Sequence, residues 1–318
     1  MSIAFERSLE ARLRSDDAGV RRVAVLEFVD QGDESSLPAI VRILREDTQP
    51  ELRLEAAQAL AGWNRREAVE ALAAALQDVP RVREAAAASL TELKDPGVGG
   101  VLIPYAWHAD AFVVAAALRA LKELRVAAAA EPARAALEHP EASVRLEAVG
   151  VLGWLKSSDA LPLLSMLVAR DPDADVRRAI SGALGLAAPQ NDVALGALEV
   201  ALRDPQWQVR EEAATTLGKF DSDEGTNTAL RGALEDEQWQ VRLRAARSLG
   251  RRRDRLALAQ LIRALVHPAG NLRKEAAIAL GEIGDGKATD ALTVAAADPD
   301  PEVRKAVRLA LQRIAAAT

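Results

Sequence analysis

The sequence predicts an all-α fold, an α-solenoid of ten two-helix repeats, and three observations carry that prediction. A short pattern recurs along the 318 residues at near-constant spacing. Within each copy the apolar positions fall on one helical face. Alanine, leucine, arginine and glutamate dominate while aromatic residues make up 3%, a composition that favours helix over strand.

The pattern reads V-R-x-x-A-x-x-x-L-G. Its first position falls at Val20, Leu52, Val82, Val113, Val144, Val176, Val209, Val241, Leu272 and Val303, at intervals of 30 to 33 residues. Counting that residue as position 0, apolar residues sit at 0, 4, 8 and usually 11. A turn precedes each copy, often Asp-Pro as at 171–172, 204–205 and 298–299, and before the turn lies a second apolar helix such as ALPLLSMLVA at 160–169. A glycine or polar stretch follows, as at Gly284-Asp285-Gly286. Each unit is therefore helix A, turn, helix B, loop. Neither helix buries its apolar face alone, so neighbouring units must stack. Residues 2–14 supply the first A helix and 303–316 the last B helix. With no linker in between, residues 1–318 read as one solenoid whose terminal repeats act as caps.

Composition narrows the function. The absence of cysteine excludes disulfides, thiolate metal sites and a cysteine nucleophile, and fits a reducing compartment. The N-terminus, MSIAFERSLEARLRSDD, has no apolar core of a signal peptide, and no apolar run is long enough to span a bilayer. The expectation is a cytoplasmic protein with no membrane partner. Net charge is −6, which argues against general affinity for nucleic acid. Residues 237–318, however, hold 15 Lys and Arg against 9 Asp and Glu, a net of +6, leaving −12 for the rest.

The units DPDADVRRAISGALG and DPDPEVRKAVRLALQ resemble the short bacterial HEAT-like repeats, similar to those of phycobilisome lyase-type proteins. The resemblance covers nearly all of residues 2–318, although these units are shorter than the ~40–47 residues usual for HEAT repeats. It implies a right-handed superhelix with the B helices lining the concave face. It implies little about function, because the fold serves scaffolds, enzyme subunits and DNA-binding proteins alike. A bilin-lyase-like enzyme subunit or chaperone is one alternative. A DNA-binding protein of the alkylpurine glycosylase type is another, faintly echoed by Trp154 with Arg119 and Arg178 but opposed by the overall acidity. The HEAT-repeat iron enzyme deoxyhypusine hydroxylase uses repeated His-Glu pairs, and here none of His108, His139 and His267 precedes a glutamate.

Each candidate feature has a structural explanation to weigh. Arginine follows the first pattern position in nine of ten repeats, repeat four having Val114. A feature present in almost every unit is expected to serve the stack, as hydrogen bonds and ion pairs between adjacent repeats. The three histidines stand five residues before the pattern, where Asp47, Asp171, Asp204, Asp236 and Asp298 stand elsewhere. They read as turn residues capping helix A carbonyls, spaced too far apart for one metal ion. Trp63 and Phe220, at position 11, read as core. Trp207 and Trp239 occupy one equivalent turn position in PQWQVR and EQWQVR, either as an exposed pair or folded over the next turn. Repeat four carries Pro104 within helix A and gathers Tyr105, Trp107 and Phe112 within eight positions. Positions 2, 6 and 10 place Arg119, Leu146, Trp154 and Arg178 along the groove of repeats four to six. Arg251, Arg252, Arg253 and Arg255 cluster after the eighth pattern.

No serine–histidine–aspartate set, phosphate loop or separate carboxylate pair is legible. The expected function is a non-catalytic protein-binding scaffold, without cofactor or metal, that takes a partner helix or extended peptide in its concave groove. The residues expected to bind are Tyr105, Trp107, Phe112, Arg119, Leu146, Trp154 and Arg178, with Trp207 and Trp239 as a second patch.

Overall fold

A computed structural model describes residues 9–31, 34–188, 190–221 and 223–317, so part of the expected first A helix, residues 2–8, lies outside them. The chain divides into two compact units, the first ending at Leu155 and the second beginning at Lys156. The fold is all-α, and among the described residues there is no strand.

In the first unit, helical residues 9–13 precede α1 (Ala18–Gln31), followed by α2 (Leu37–Glu46), α3 (Pro50–Ala59), α4 (Arg66–Ala75), α5 (Pro80–Thr91), α6 (Ala111–Glu123), α7 (Ala130–Ala136) and α8 (Ala142–Trp154). The second contains α9 (Leu161–Leu167), α10 (Ala174–Leu184), α11 (Asp192–Ala201), α12 (Trp207–Leu217), α13 (Glu224–Ala233), α14 (Trp239–Arg251), α15 (Leu258–Ala264), α16 (Gly270–Ile283), α17 (Thr289–Ala295) and α18 (Pro301–Ala317). Each pattern copy forms a B helix. Proline at the first turn opens α3, α5 and α18, where its missing N–H costs nothing. A carboxylate caps the start of α6 and α10: Asp110 accepts from the N–H groups of Phe112 and Val113, and Asp173 from those of Asp175 and Val176.

Position 0 is buried from Leu52 to Val303, and Val20 of the first repeat is its exposed exception. Positions 4 and 8 are buried too, as with Ala148 and Leu152 or Ala245 and Leu249, except that Leu311 at position 8 of the tenth repeat is half-buried. Each such leucine or valine contributes ~1.5–3 kcal/mol by leaving water. Small residues then let B helices approach closely. A Cβ added at Gly250 would lie 2.7 Å from the Ala279 Cα, and one at Gly281 2.7 Å from the Ala310 Cα.

The A segment of repeat four departs from the expected single helix A. Pro96, Gly97, Gly99, Gly100 and Pro104 break it into two 3₁₀ helices, Pro96–Val101 and Ile103–Trp107. Position 12, just past helix B, is left-handed in several repeats. Gly284 occupies it at φ 70°, but Arg125, Lys156 and Arg253 occupy it at φ 56°, 51° and 52°. A side chain there costs conformational energy that glycine avoids.

Candidate functional surfaces

The pattern arginines form the expected ladder. Arg177 donates from Nε and Nη2 to Asp204 of the next repeat at 2.7 and 3.0 Å, and from Nη1 to the carbonyls of Asp171 and Pro172 in its own turn. Arg21–Asp47, Arg53–Asp78, Arg210–Asp236 and Arg273–Asp298 repeat the two-pronged contact. The hydrogen bonds from Arg53 and Arg273 hold the Asp78 and Asp298 carboxyls below the ordinary carboxylate range. The aspartate also accepts from the backbone two residues on, as Asp204 does from the Gln206 N–H at 2.8 Å.

The histidines correct the carbonyl-capping expectation. In each, Nδ1 is an acceptor, taking the N–H of Asp110, Glu141 or Ala269 at 3.0 Å. Histidine therefore replaces the aspartate's turn contact but supplies no carboxylate to the preceding arginine. Arg83 turns to Asp110 at 3.4 Å and lays its guanidinium 3.8 Å from the Phe112 ring centre. Arg242 turns to the Asp236 carbonyl. Burial, and then Arg242 and Arg273, push the His267 imidazolium pKa down. Among the described residues, no group of three or more His, Asp or Glu is placed to hold a metal ion, and no helix is long and apolar enough to cross a membrane.

In the first unit, α6 and α8 bring several expected residues together. Arg119 Nε donates to Glu147 Oε1 at 2.8 Å, and Lys122 Nζ to the other oxygen at 3.3 Å. Leu146 is 36% exposed and Trp154 52% exposed, with Gly150 between them on the helix. A Cβ at Gly150 would meet the Lys122 stem at 3.1 Å, so the glycine leaves room for that lysine to cross α8. The Arg125 guanidinium lies 4.5 Å from the Trp154 ring centre. Trp107 is exposed on the 3₁₀ segment of repeat four, whereas Tyr105 and Phe112 are half-buried. Trp63 is half-buried and stacks on Phe28, with ring centres 5.4 Å apart, while Phe220 is core.

In the second unit Arg178 is exposed and pairs with Asp175 of its own turn at 3.3 Å. Trp207 and Trp239 are each the first residue of a B helix and are half-buried. Trp239 lines a cavity of about 390 Å³ with Gln240, Leu243, Arg244, Arg247 and Asn271. Gln240 Oε1 is buried there without a hydrogen-bond partner. Ion pairs run along this B-helix row: Arg244–Glu211, Arg247–Glu275 and Lys274–Glu302. The arginine cluster separates. Arg252 turns inward, donating to the carbonyls of Leu217 and Phe220, to Asn227 and to Asp223. Burial lowers its pKa despite those partners.

Sequence reasoning passed over Glu147, Lys122 and Arg125. Glutamate at position 3 recurs as Glu55, Glu147, Glu212 and Glu275, and in Glu55, Glu147 and Glu275 it is the readable signal for cation partners on this face. Arg125 had no such signal, because its place follows from a left-handed backbone.

The family model described as HEAT repeats matches residues 6–90, 37–122, 101–185, 168–232 and 227–312. The fold is similar to that of the Escherichia coli protein YibA, at 20% identity over 91% of this chain and 96% of that one, with a TM-score of 0.53. It is also similar to importin beta, at 15% identity over 96% of this chain and 50% of that one, with a TM-score of 0.64. Kap95p, solved in a study of its binding to RanGDP, is 14% identical over 97% of this chain and 48% of that one, with a TM-score of 0.61. No curated protein sequence matches the chain.

Proposed function

The chain belongs to the HEAT-repeat family, and we propose that it is a non-catalytic scaffold that holds a protein partner, as a helix or extended peptide, on the exposed faces of its B helices. The observation that carries this reading is the α6–α8 surface. There a half-exposed indole, Trp154, is backed by Arg125 and flanked by exposed Leu146, while the neighbouring cations are tied to Glu147. A large ring fixed in place beside satisfied charges is the chemistry of an interface anchor, and tryptophan and arginine are enriched among such anchors. Trp239 beside its cavity supplies a second contact of the same kind. Kap95p, which binds RanGDP, gives a precedent for a similar fold engaging a protein.

The unbroken 30–33-residue spacing supports reading the ten repeats as one solenoid, and the lack of cysteine supports a cytoplasmic setting. The test is affinity capture from the source organism, with wild type beside Trp154→Ala/Arg119→Glu. The expected result is a protein captured by wild type, lost by the variant, and bound directly when purified, with Trp154→Ala alone weakening binding by about 30-fold or more. Capture of nothing, of nucleic acid, or of a protein indifferent to the variant would refute the proposal.

A further inference from the structure

The basic C-terminal quarter concentrates unpaired charge at one cleft in the second unit. Arg251 and Arg253 project on either side of the buried Arg252, and Arg313 comes from α18. Among the described residues, none of these three exposed guanidiniums makes a hydrogen bond or ion pair. Together with Glu282 they line a cleft of about 650 Å³, within the roughly 300–1,000 Å³ typical of small-ligand sites. Gly250 and Gly281 give it bare backbone where α14, α16 and α18 approach too closely for a Cβ.

The charge balance is close but favours an anion. The C-terminal ends of α14 and α16, and the last turns of α18, attract the arginines and explain their gathering. Each helix end supplies only about half a negative charge. Glu282 adds one carboxylate to the lining, against three arginines within a segment whose net charge is +6. Glu282 is the weakest opponent, because burial raises its pKa despite the pull of Arg313, Arg251 and Arg247, and Glu275 pushes it the same way. A second observation comes from the backbone. Arg253 holds a left-handed conformation at φ 52°, where the next repeat uses Gly284. That turn closes α14, with the Asp254 N–H bonded to the Leu249 carbonyl and the Arg253 N–H to the Gly250 carbonyl, and it sets the direction in which Arg253 leaves the helix.

We propose that this cleft binds a small multivalent oxyanion, a compound carrying two or more phosphoryl or carboxylate groups, gripped by Arg251, Arg253 and Arg313. The planar guanidinium fork suits both groups equally, and the site is independent of the partner surface on α6 and α8.

The experiment is isothermal titration of the full chain at low ionic strength with pyrophosphate and, separately, citrate. At least one probe should bind one to one, and the tighter of the two assigns the group. Affinity should fall at least tenfold in Arg251→Gln/Arg313→Gln, stay unchanged in Arg255→Gln, and rise several-fold in Glu282→Gln, which removes the competing carboxylate. A gain in affinity cannot come from misfolding, so the Glu282 variant guards the result. Trp154→Ala/Arg119→Glu should bind the anion as wild type does, so this site and the partner surface fail separately. No saturable binding of either probe, a double arginine variant that binds like wild type, or weaker binding by Glu282→Gln would overturn the proposal.

Discussion

Arg177→Ala removes an enclosed rung of the arginine–aspartate ladder, where the two side chains are only 10% and 6% exposed. The substitution deletes two bonds to Asp204 and two to turn carbonyls, leaving a buried carboxylate whose remaining backbone donor is the Gln206 N–H. Breaking a buried pair by removing one partner costs about 3–5 kcal/mol, mostly because the other charge stays desolvated. Arg304 provides the internal comparison. It makes the same two carbonyl contacts, to Asp298 and Pro299, but among the described residues it is bonded to no carboxylate. Arg304→Ala should cost only about 1–2 kcal/mol. Adding Asp204→Asn to Arg177→Ala removes the stranded charge, so the double variant should be more stable than the single. Urea unfolding followed by circular dichroism measures all three. A loss below about 1 kcal/mol for Arg177→Ala, or a double variant less stable than the single, would refute a ladder held by desolvated ion pairs.

Two further outcomes follow from the places where the repeat rule is broken. His267→Asp gives Arg242 the carboxylate that Arg210 already has in Asp236, and should stabilise by about 1 kcal/mol. In wild type the lowered His267 pKa means that the unfolded chain takes up a proton before the folded one. Its stabilising effect is therefore complete above the unfolded value of about 6.5 and lost as pH falls below it. His267→Asp should abolish that part of the pH dependence in melting curves between about pH 5 and 7; an unchanged slope would refute it. Arg253→Gly relieves the left-handed backbone and should stabilise by about 1 kcal/mol in urea while weakening pyrophosphate or citrate binding. A variant that loses stability would show that the arginine is held there for packing instead.

The fold was legible because its periodicity is redundant. Val144, Ala148 and Leu152 lie one turn apart, and ten copies of that spacing leave little room for another reading. The ladder was legible for the same reason, since Arg177 and Asp204 keep fixed offsets within their own repeats. What the sequence hid depends on geometry between repeats or on backbone handedness. Glu147 meets Arg119 and Lys122 because two B helices lie side by side, a relation between residues 25 and 28 apart. Arg252 and Arg253 are neighbours in a run of arginines, yet one is buried against carbonyls and the other lines a cleft. A left-handed residue between two helices separates them, and no side-chain pattern announces it.

Departures from the repeat fall into two kinds, and only one points to function. Val114 lacks the ladder arginine, and the next repeat has His139 where an aspartate would receive it. The two departures compensate, because an arginine facing that imidazole would have no carboxylate to bind. Arg83 ahead of His108 is compensated by Asp110 and the Phe112 ring, while Arg242 ahead of His267 keeps the turn carbonyl of Asp236, the contact that Arg210 and Arg273 make in their own turns. These irregularities are settled within the stack and require no ligand. Arg125 and Arg253 are different. Each accepts a left-handed backbone that glycine would adopt more easily, and each projects its charge outward, over the Trp154 ring in one case and into the Gly250–Gly281 cleft in the other. The turn itself is held by helix-end hydrogen bonds, from the Val126 N–H to the Leu121 carbonyl and from the Asp254 N–H to the Leu249 carbonyl, so the left-handed backbone has a structural cause. What those bonds leave available is the side chain, and so these two outward-pointing arginines mark the surfaces where binding should first be sought.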